Sequence, residues 1–249
     1  MTDFLLTRRR LLVSAGAGVL GLTIVNTVTG CSDAETPAAA TASSAAAGTT
    51  SAGGSSFGGW ERVNLSYVSA YLLIRGDEAA VVDLGTPGSG DAIGSALTAA
   101  GSGWNQVRHV ILTHQHQDHV GGLPDVEPRT KAVFHAGLND VGSIVNAQRT
   151  LKPLGDGDEV FGLQIVDTPG HTLGHISVFD PSTGTLVAGD ALRTTEGLAG
   201  SDPKYTADLD KAAASVKKLA ALDVKTILPG HGEPLTDGAA DALRKLAGS

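Results

Sequence analysis

The 249-residue chain contains a single cysteine, Cys31. One thiol cannot form an internal disulfide, and it cannot build a zinc site from several thiolates. A metal site in this chain would therefore have to use imidazole and carboxylate groups, and the sequence has eight histidines to offer.

An excess of basic residues is also missing. Lysine and arginine number 18 against 26 aspartates and glutamates, which gives a net charge of −8. Proteins that process nucleic acids need a basic surface to hold the phosphates. The sequence therefore predicts no nucleic-acid partner, and instead a small substrate that is neutral or weakly charged.

The first thirty residues differ in kind from the rest. Three arginines at positions 8–10 precede an apolar stretch, rich in glycine and alanine, over residues 11–28. This pattern predicts a bacterial export signal of the twin-arginine type over residues 1–30. The stretch also approaches the length of a membrane span, so an uncleaved anchor remains an alternative.

The position of the cysteine favours a lipid anchor. Residues 28–31, Val-Thr-Gly-Cys, resemble the lipobox of bacterial lipoproteins, in which cleavage precedes a cysteine that then receives lipid. We therefore expect an exported, extracytoplasmic protein that is lipid-anchored at Cys31 and meets the membrane only through this end.

Composition predicts the boundary of the folded part. Residues 31–58 are almost entirely alanine, serine, threonine and glycine, and they carry too little apolar surface to offset the entropy of ordering them. We predict a flexible tether over residues 31–58 and a single folded domain over residues 59–249, which is long enough for one substantial core.

Four metal-binding side chains lie within six positions, in the pattern His114-x-His116-x-Asp118-His119. They follow the apolar, β-branched run at 107–112, so we expect a loop at the carboxyl end of a buried strand. The alternate spacing of His114 and His116 lets them converge on one cation. Asp118 and His119 point elsewhere, which indicates a second ion.

Three further candidate ligands follow strand-like runs. The runs at 163–168, 185–188 and 224–228 each lead through a glycine turn to one such side chain: His171, Asp190 and His231, respectively. A carboxylate has two oxygens, so Asp190 is the natural group to bridge two cations. The repetition of this arrangement is stronger evidence than any single instance.

Together these motifs resemble the metallo-β-lactamase superfamily of binuclear metallohydrolases. The resemblance implies an αββα sandwich with two metal ions at one edge. It implies that His114, His116 and His171 hold the first ion and that Asp118, His119 and His231 hold the second, with Asp190 between them. It also makes Asp83, in the Asp-x-Gly that ends an early strand, a residue that supports the ligands. We expect zinc, with iron or manganese as alternatives.

The remaining histidines and one tyrosine have less specific surroundings. His175 precedes a strand-like run, and we expect it either to hydrogen-bond near the site or to be structural. His109 lies inside the strand before the cluster and His135 follows the strand at 131–134, so both are expected to be packing or surface residues. Tyr205 is a candidate for the pocket wall, although a surface tyrosine is the simpler interpretation.

Periodicity predicts the other elements. Alternating or continuous apolar residues indicate strands at 67–74, 79–82 and 107–112. Apolar residues at helical spacing indicate helices at 91–100, 208–222 and 237–246.

The expected reaction is hydrolysis of a small ester, lactone or thioester by a hydroxide held between the two ions. Asp118 is expected to pass a proton to the leaving group. Three better-known groups of the family that this chain resembles differ from it. Zinc β-lactamases carry another residue where Asp190 stands, and flavodiiron proteins have glutamate in place of His116. Glyoxalase II enzymes have a C-terminal region that binds glutathione, whereas only about 18 residues follow His231 in this sequence. A β-lactam hydrolase, a one-iron persulfide dioxygenase and a binding lipoprotein with a structural metal remain alternatives.

Overall fold

The side chains of one central strand point alternately into two different hydrophobic layers. In the strand Val68–Arg75, Ala70 and Leu72 pack into one apolar cluster, whereas Tyr71 and Leu73 pack into another. Successive side chains of a strand face opposite sides of its sheet. A strand buried on both faces therefore belongs to a sheet that is covered on both sides.

The computed structural model describes residues 56–248. The strands in these residues are β1 (Ser56–Phe57), β2 (Trp60–Leu65), β3 (Val68–Arg75), β4 (Glu78–Val82), β5 (Val107–Leu112), β6 (Val133–Gly137), β7 (Lys152–Leu154), β8 (Glu159–Val160), β9 (Leu163–Asp167), β10 (Ile176–Asp180), β11 (Thr185–Gly189), β12 (Leu192–Arg193), β13 (Ala199–Gly200) and β14 (Thr226–Pro229). The helices are α1 (Gly90–Ala99), α2 (Gln117–Val120), α3 (Leu123–Val126), α4 (Leu209–Leu219) and α5 (Ala239–Ala247), with 3₁₀ turns at Glu127–Arg129 and Val141–Ser143.

Twelve of these strands form two large sheets, and β12 and β13 pair with each other in a separate two-stranded sheet. The first runs in the order β1-β2-β3-β4-β5-β6-β7, antiparallel as far as β4 and parallel from β4 to β7. The second runs β14-β11-β10-β9-β8 and is antiparallel except for the pair β11–β14. Parallel neighbours require a crossover connection, and α1 provides the one between β4 and β5.

Three apolar clusters separate four layers. Side chains of the first sheet such as Tyr71 and Ile111 meet those of the second sheet such as Ile165 and Val178 in a cluster between the sheets. On the outer face of the first sheet, a second cluster includes Ile93 of α1. On the outer face of the second sheet, the third cluster holds residues of α4 and α5. The predicted αββα sandwich is confirmed.

Helix α4 shows how the sequence creates one of the outer layers. Ala212, Val216 and Leu219 are buried at spacings of four and three, so they form one face against the second sheet. Its amino end is capped by Asp208, whose side chain accepts the backbone N–H of Lys211 at 3.0 Å. The predicted helix at 208–222 is thus present but ends three residues early.

Two local predictions differ from the structure. His135 lies within β6, not after it, because the strand begins at Val133 and continues to Gly137. Asp118 and His119 lie in the short helix α2, whereas the sequence predicted a loop for the whole ligand cluster. Four residues are too few to show a helical period, so this turn left no pattern to detect.

Most of the predictions for the amino-terminal part concern residues before position 56, which the structure does not describe. The export signal, Cys31 and the tether up to residue 55 lie outside the described residues. Strand β1 begins at Ser56, inside the predicted tether, where it pairs with β2. Within residues 56–248, none of the helices combines the length and the apolar character that crossing a bilayer requires.

Candidate metal centre

All seven candidate ligands lie where strands end. His114 and His116 follow β5, and α2 then holds Asp118 and His119. The others come after strands of the second sheet: His171 after β9, Asp190 after β11 and His231 after β14. Both sheets therefore contribute to one site at their shared edge, as in other α/β proteins.

Glycines let these segments approach each other closely. Gly189 precedes Asp190 with φ +52°, and a Cβ there would lie 2.7 Å from Nε2 of His175. At Gly230, next to His231, a Cβ would collide with the Asp190 carboxylate. The glycine turns that marked these ligands in the sequence are thus required for assembling the site.

The first group comprises His114, His116 and His171, whose candidate ligand atoms all lie within 4.8 Å of one another. Nε2 of His171 is 2.9 Å from Nδ1 of His116. Nε2 of His114 is buried and has no hydrogen-bond partner among residues 56–248. An unpartnered buried nitrogen is costly, and a metal ion held by all three imidazoles would satisfy it.

The second group comprises Asp118, His119 and His231, whose candidate ligand atoms likewise lie within 4.8 Å of one another. Nε2 of His231 is 3.4 Å from Nε2 of His119 and 3.3 Å from Oδ2 of Asp118. The structure therefore brings together the three side chains that the resemblance assigned to a second ion.

Asp190 lies between the two groups. Its Oδ2 is 3.3 Å from Nε2 of His171 and 3.2 Å from Nε2 of His231, while its Oδ1 is 3.2 Å from Nε2 of His119. Oδ1 is also buried without a hydrogen-bond partner in the described part of the chain. One carboxylate thus contacts members of both groups, which fits a bridging ligand.

Asp83 supports the second group from behind. Its Oδ2 accepts a hydrogen bond from Nδ1 of His119 at 2.8 Å, and both of its oxygens accept hydrogen bonds from Thr113. Hydrogen bonds of this kind fix the tautomer and orientation of a metal-binding imidazole. Asp83 also has φ +61°, an uncommon conformation for a residue other than glycine.

His175 supports the carboxylate between the groups. Its Nε2 accepts the backbone N–H of Asp190 at 3.0 Å, and its Nδ1 is 2.8 Å from Oγ1 of Thr168. Because both ring nitrogens have partners, the side chain is not aimed at a cation. Burial, with smaller effects of neighbouring histidines such as His171, lowers its pKa to about 3, so it remains neutral.

The imidazoles of the site differ in the direction in which their pKa values are shifted. Burial, assisted by His119, lowers the pKa of His114 well below its usual value, and burial lowers that of His171 to about 4. For His119, burial is outweighed by Asp190 and Asp83, which raise its pKa well above its usual value. Neutral imidazole is the form that binds metals, so His114 and His171 are in the binding form. At His119, the two carboxylates favour a positive charge, which can be a proton or a metal ion.

The two groups open into a cavity of about 620 Å³. Besides ligand candidates, its wall includes Tyr67, Arg193, Thr195, Asp202 and Tyr205. A second cavity of about 390 Å³ adjoins it, sharing His116, His171 and Tyr205. Tyr205 is therefore both 57% exposed and part of the pocket wall.

Two residues of the cavity wall, Tyr67 and Arg193, were not predicted from the sequence. Tyr67 stacks on His231, with ring centroids 6.1 Å apart, and its carbonyl accepts a hydrogen bond from Nδ1 of His231 at 2.7 Å. Arg193 lies three residues after Asp190, and this closeness to a candidate ligand is the signal for it in the sequence. Its Nε is buried without a hydrogen-bond partner within residues 56–248.

The two remaining histidines lie on adjacent strands of the first sheet. Nδ1 of His109 in β5 is 3.2 Å from Nε2 of His135 in β6, and neither belongs to the groups described above. His109 is half-buried and also packs beside Phe161. The structure thus gives both the packing environment that the sequence suggested.

Comparison with known proteins agrees with this geometry. The chain is 31% identical over 206 residues to "Probable metallo-hydrolase YflN" of Bacillus subtilis, covering 63% of this chain and 76% of that protein. It is 32% identical over 142 residues to a hydroxyacylglutathione hydrolase of Fuscovulum blasticum, covering 55% of this chain and 52%, about half, of that enzyme.

Solved structures share the fold. A metallo-beta-lactamase family protein from Thermus thermophilus superposes with a TM-score of 0.61 at 25% identity, over 76% of this chain and 78% of its own. A second solved structure, of a protein in a di-iron-bound form, gives a TM-score of 0.55 at 26% identity, over 68% of this chain and 89% of its own. The family model described as "Metallo-beta-lactamase superfamily" matches residues 63–231. With its seven candidate ligands within that range, the chain belongs to the metallo-beta-lactamase superfamily.

Proposed function

We propose that this protein is a binuclear metal-dependent hydrolase of small esters, lactones or thioesters. The observation that carries the proposal is the position of Asp190, whose two oxygens contact histidines of both groups. Divalent ions held there would act as Lewis acids and lower the pKa of water, which supplies a nucleophile at neutral pH.

The donor set fits such ions. Imidazole and carboxylate ligands suit zinc, and they suit iron or manganese as well. We propose zinc at both positions, held by the first group, the second group and Asp190. A solved relative in a di-iron-bound form makes iron the principal competitor.

We propose that Asp118 moves a proton during the reaction. Its carboxylate lines the larger cavity and is partly accessible, with the side chain 26% exposed, while Oδ2 remains 3.3 Å from Nε2 of His231. A carboxylate held at one oxygen can still accept a proton and deliver it to a leaving group. We assign this role to Asp118.

One residue of the cavity wall, Arg193, supports a proposal about the kind of substrate. Arg193 has no ion-pair partner among the described residues, and its Nε has no hydrogen-bond partner there. A guanidinium in this setting would bind an oxygen acceptor of the substrate, such as a carboxylate. A small substrate with one carboxylate also agrees with the expectation of weak charge.

A thioester is the chemical class that a relative supports directly. The Fuscovulum blasticum protein is a hydroxyacylglutathione hydrolase, and hydroxyacylglutathione is a thioester. Because the match covers about half of that enzyme, we propose the thioester bond as a substrate class without assigning the glutathione part.

Two alternatives have less support. A persulfide dioxygenase would use one iron, whereas here the second group is assembled as completely as the first. A β-lactam hydrolase is disfavoured by the aspartate at position 190, where zinc β-lactamases carry another residue.

The test is a substrate panel. Metal-free protein and protein reconstituted with zinc would be assayed on an aryl ester, a lactone, a thioester and a cephalosporin. We expect zinc-dependent turnover of at least one of the first three and poor turnover of the cephalosporin. Cephalosporin hydrolysis near 10⁴ M⁻¹s⁻¹ or above, a roughly ordinary enzymatic efficiency, with no turnover of the others, would refute the proposal.

We further propose export and lipid anchoring. The support is the arginine-containing signal pattern and the position of Cys31 in a lipobox-like sequence. The anchor would place the hydrolase outside the cytoplasm at the membrane surface, where its partner is a small-molecule substrate and no nucleic acid is involved.

A further inference from the structure

A buried carboxylate lies between the two segments that carry the first group. Asp140, three residues after β6, is 1% exposed. Its Oδ2 accepts the backbone N–H of Gln115 at 3.0 Å and the hydroxyl of Thr172 at 2.6 Å, and its Oδ1 accepts the backbone N–H of Gly174 at 2.7 Å. Three donors from two segments therefore converge on one side chain.

These donors adjoin the ligands of the first group. Gln115 stands between His114 and His116, and Thr172 directly follows His171. Asp140 thus connects two segments of the first group. One follows β5 of the first sheet and carries His114 and His116; the other follows β9 of the second sheet and carries His171. A shift of either segment would change the distances among the three nitrogens.

The backbone around Asp140 has no space for adjustment. A Cβ at Gly174 would collide with the backbone nitrogen of Asp140, and one at Gly137 would collide with the carbonyl of Gly174. The turn after β6 and the His171 segment are therefore in direct backbone contact. The hydrogen bonds of the Asp140 carboxylate therefore lie at a point where the backbones of the two segments are in contact.

The second group has a different support. Asp83 bonds directly to His119 and to Thr113, whereas the carboxylate of Asp140 bonds to the two segments of the first group. Asp83 also reaches the first group, but only through Thr113, whose Oγ1 lies 3.1 Å from Nδ1 of His114, whereas the three bonds of Asp140 tie together the two segments that carry that group.

We propose that Asp140 is a positioning residue that sets the metal affinity of the group His114, His116 and His171. This inference rests on the metal centre proposed above, and it adds a residue outside the ligands to that centre. Asp140, which also lines the smaller cavity, acts through the backbone and hydroxyl groups that donate to it and is not itself a ligand of the ions.

The experiment isolates each group before testing Asp140. His231→Ala leaves the first group whole, and His116→Ala leaves the second group whole. Asp140→Asn would be added to each background, because an amide NH₂ must then face a donor at Gln115 or Gly174 that needs an acceptor. Zinc affinity would be measured by competition with a chromophoric chelator.

We expect a selective loss. In the His231→Ala background, Asp140→Asn should weaken zinc binding by ~10–100-fold, the range typical of residues that orient ligands. In the His116→Ala background, the same change should leave zinc affinity unaltered. Cobalt spectra should show a perturbed ligand field only in the first case.

Two further variants control for folding. Asp180→Asn makes the same change at another buried carboxylate, whose partners Trp60, Arg75 and Ser182 lie away from the metal centre; it should leave metal affinity unchanged. Thr172→Val removes one donor to Asp140 while keeping the side-chain shape. It should give a smaller loss than Asp140→Asn, in the same background, and it serves if Asp140→Asn does not fold.

The outcomes separate the two proposals. Equal losses in both backgrounds, or no loss in the His231→Ala background for Asp140→Asn or Thr172→Val, would overturn the role of Asp140 alone. A failure of the unmodified protein to bind any divalent metal would overturn the metal centre and this role together.

Discussion

Replacing Asp190 should weaken both metal positions at once. In the structure its oxygens lie 3.2–3.3 Å from nitrogens of His119, His171 and His231, so Asp190→Ala removes a ligand from both groups. Residues that only orient a ligand cost about 10–100-fold in affinity. Loss of a shared ligand should therefore cost at least ~100-fold at each position, or about 2.8 kcal/mol of binding free energy.

Two other variants give the prediction its specificity. Asp118→Asn should weaken mainly the second position and reduce turnover, because Asp118 lies within 4 Å only of His231 and His119 among the candidate imidazoles. His175→Ala removes the acceptor for the Asp190 backbone N–H, so it should cost less than Asp190→Ala and fall within about 10–100-fold.

The assay measures metal content and turnover on the same folded samples. Each variant would be stripped of metal, titrated with zinc, and checked for native circular dichroism before its turnover is measured. Loss of only one metal in Asp190→Ala would refute the bridging role. Full activity in Asp190→Ala or Asp118→Asn would mean that catalysis occurs elsewhere.

Three further predictions address other parts of the chain. Arg193→Gln should raise KM about tenfold for an ester that bears a carboxylate and leave a neutral ester unchanged; equal effects on both would contradict carboxylate binding. Burial, then His109 and Lys152, lowers the pKa of His135 to about 4 from 6.5. The unfolded chain therefore binds more protons between these values, and acidification from about pH 7 to about pH 4.5 should cost about 1–2 kcal/mol of unfolding free energy through this residue, once solvent screening is allowed for. Urea unfolding of His135→Gln should show a correspondingly smaller loss, and an identical loss would remove His135 as the cause. Cys31→Ala should leave the catalytic domain folded but release it from the membrane or leave the precursor unprocessed, whereas an unchanged acylated mass and membrane fraction would rule out lipidation at Cys31.

The candidate metal ligands could be located from the sequence because their signals are local. Each of His171, Asp190 and His231 follows an apolar run and a glycine turn, and the carboxyl ends of such strands meet at one edge. Periodicity also located the main elements: the predicted strand at 107–112 has the bounds of β5, and the predicted helix at 91–100 differs from α1 by one residue at each end.

The residues around the ligands were not predictable in the same way. Asp140 lies 25 positions from Gln115 and 34 from Gly174, so only the pairing of the folded segments shows that it connects them. Arg193 and Tyr67 become pocket residues because the fold places β12 and the β2–β3 turn beside the ligands. Short strands such as β7 and β8 lack enough residues to display alternation.

Metal stoichiometry is the most direct test of the central claim. The protein would be purified without added chelator, and the number of metal ions per chain would be measured by elemental mass spectrometry. Zinc-dependent hydrolysis of a thioester or a lactone would be measured on the same sample. The account predicts two divalent ions per chain, with turnover lost when they are removed and restored when they return. A single iron per chain, with no hydrolysis of any ester, lactone or thioester, would contradict it.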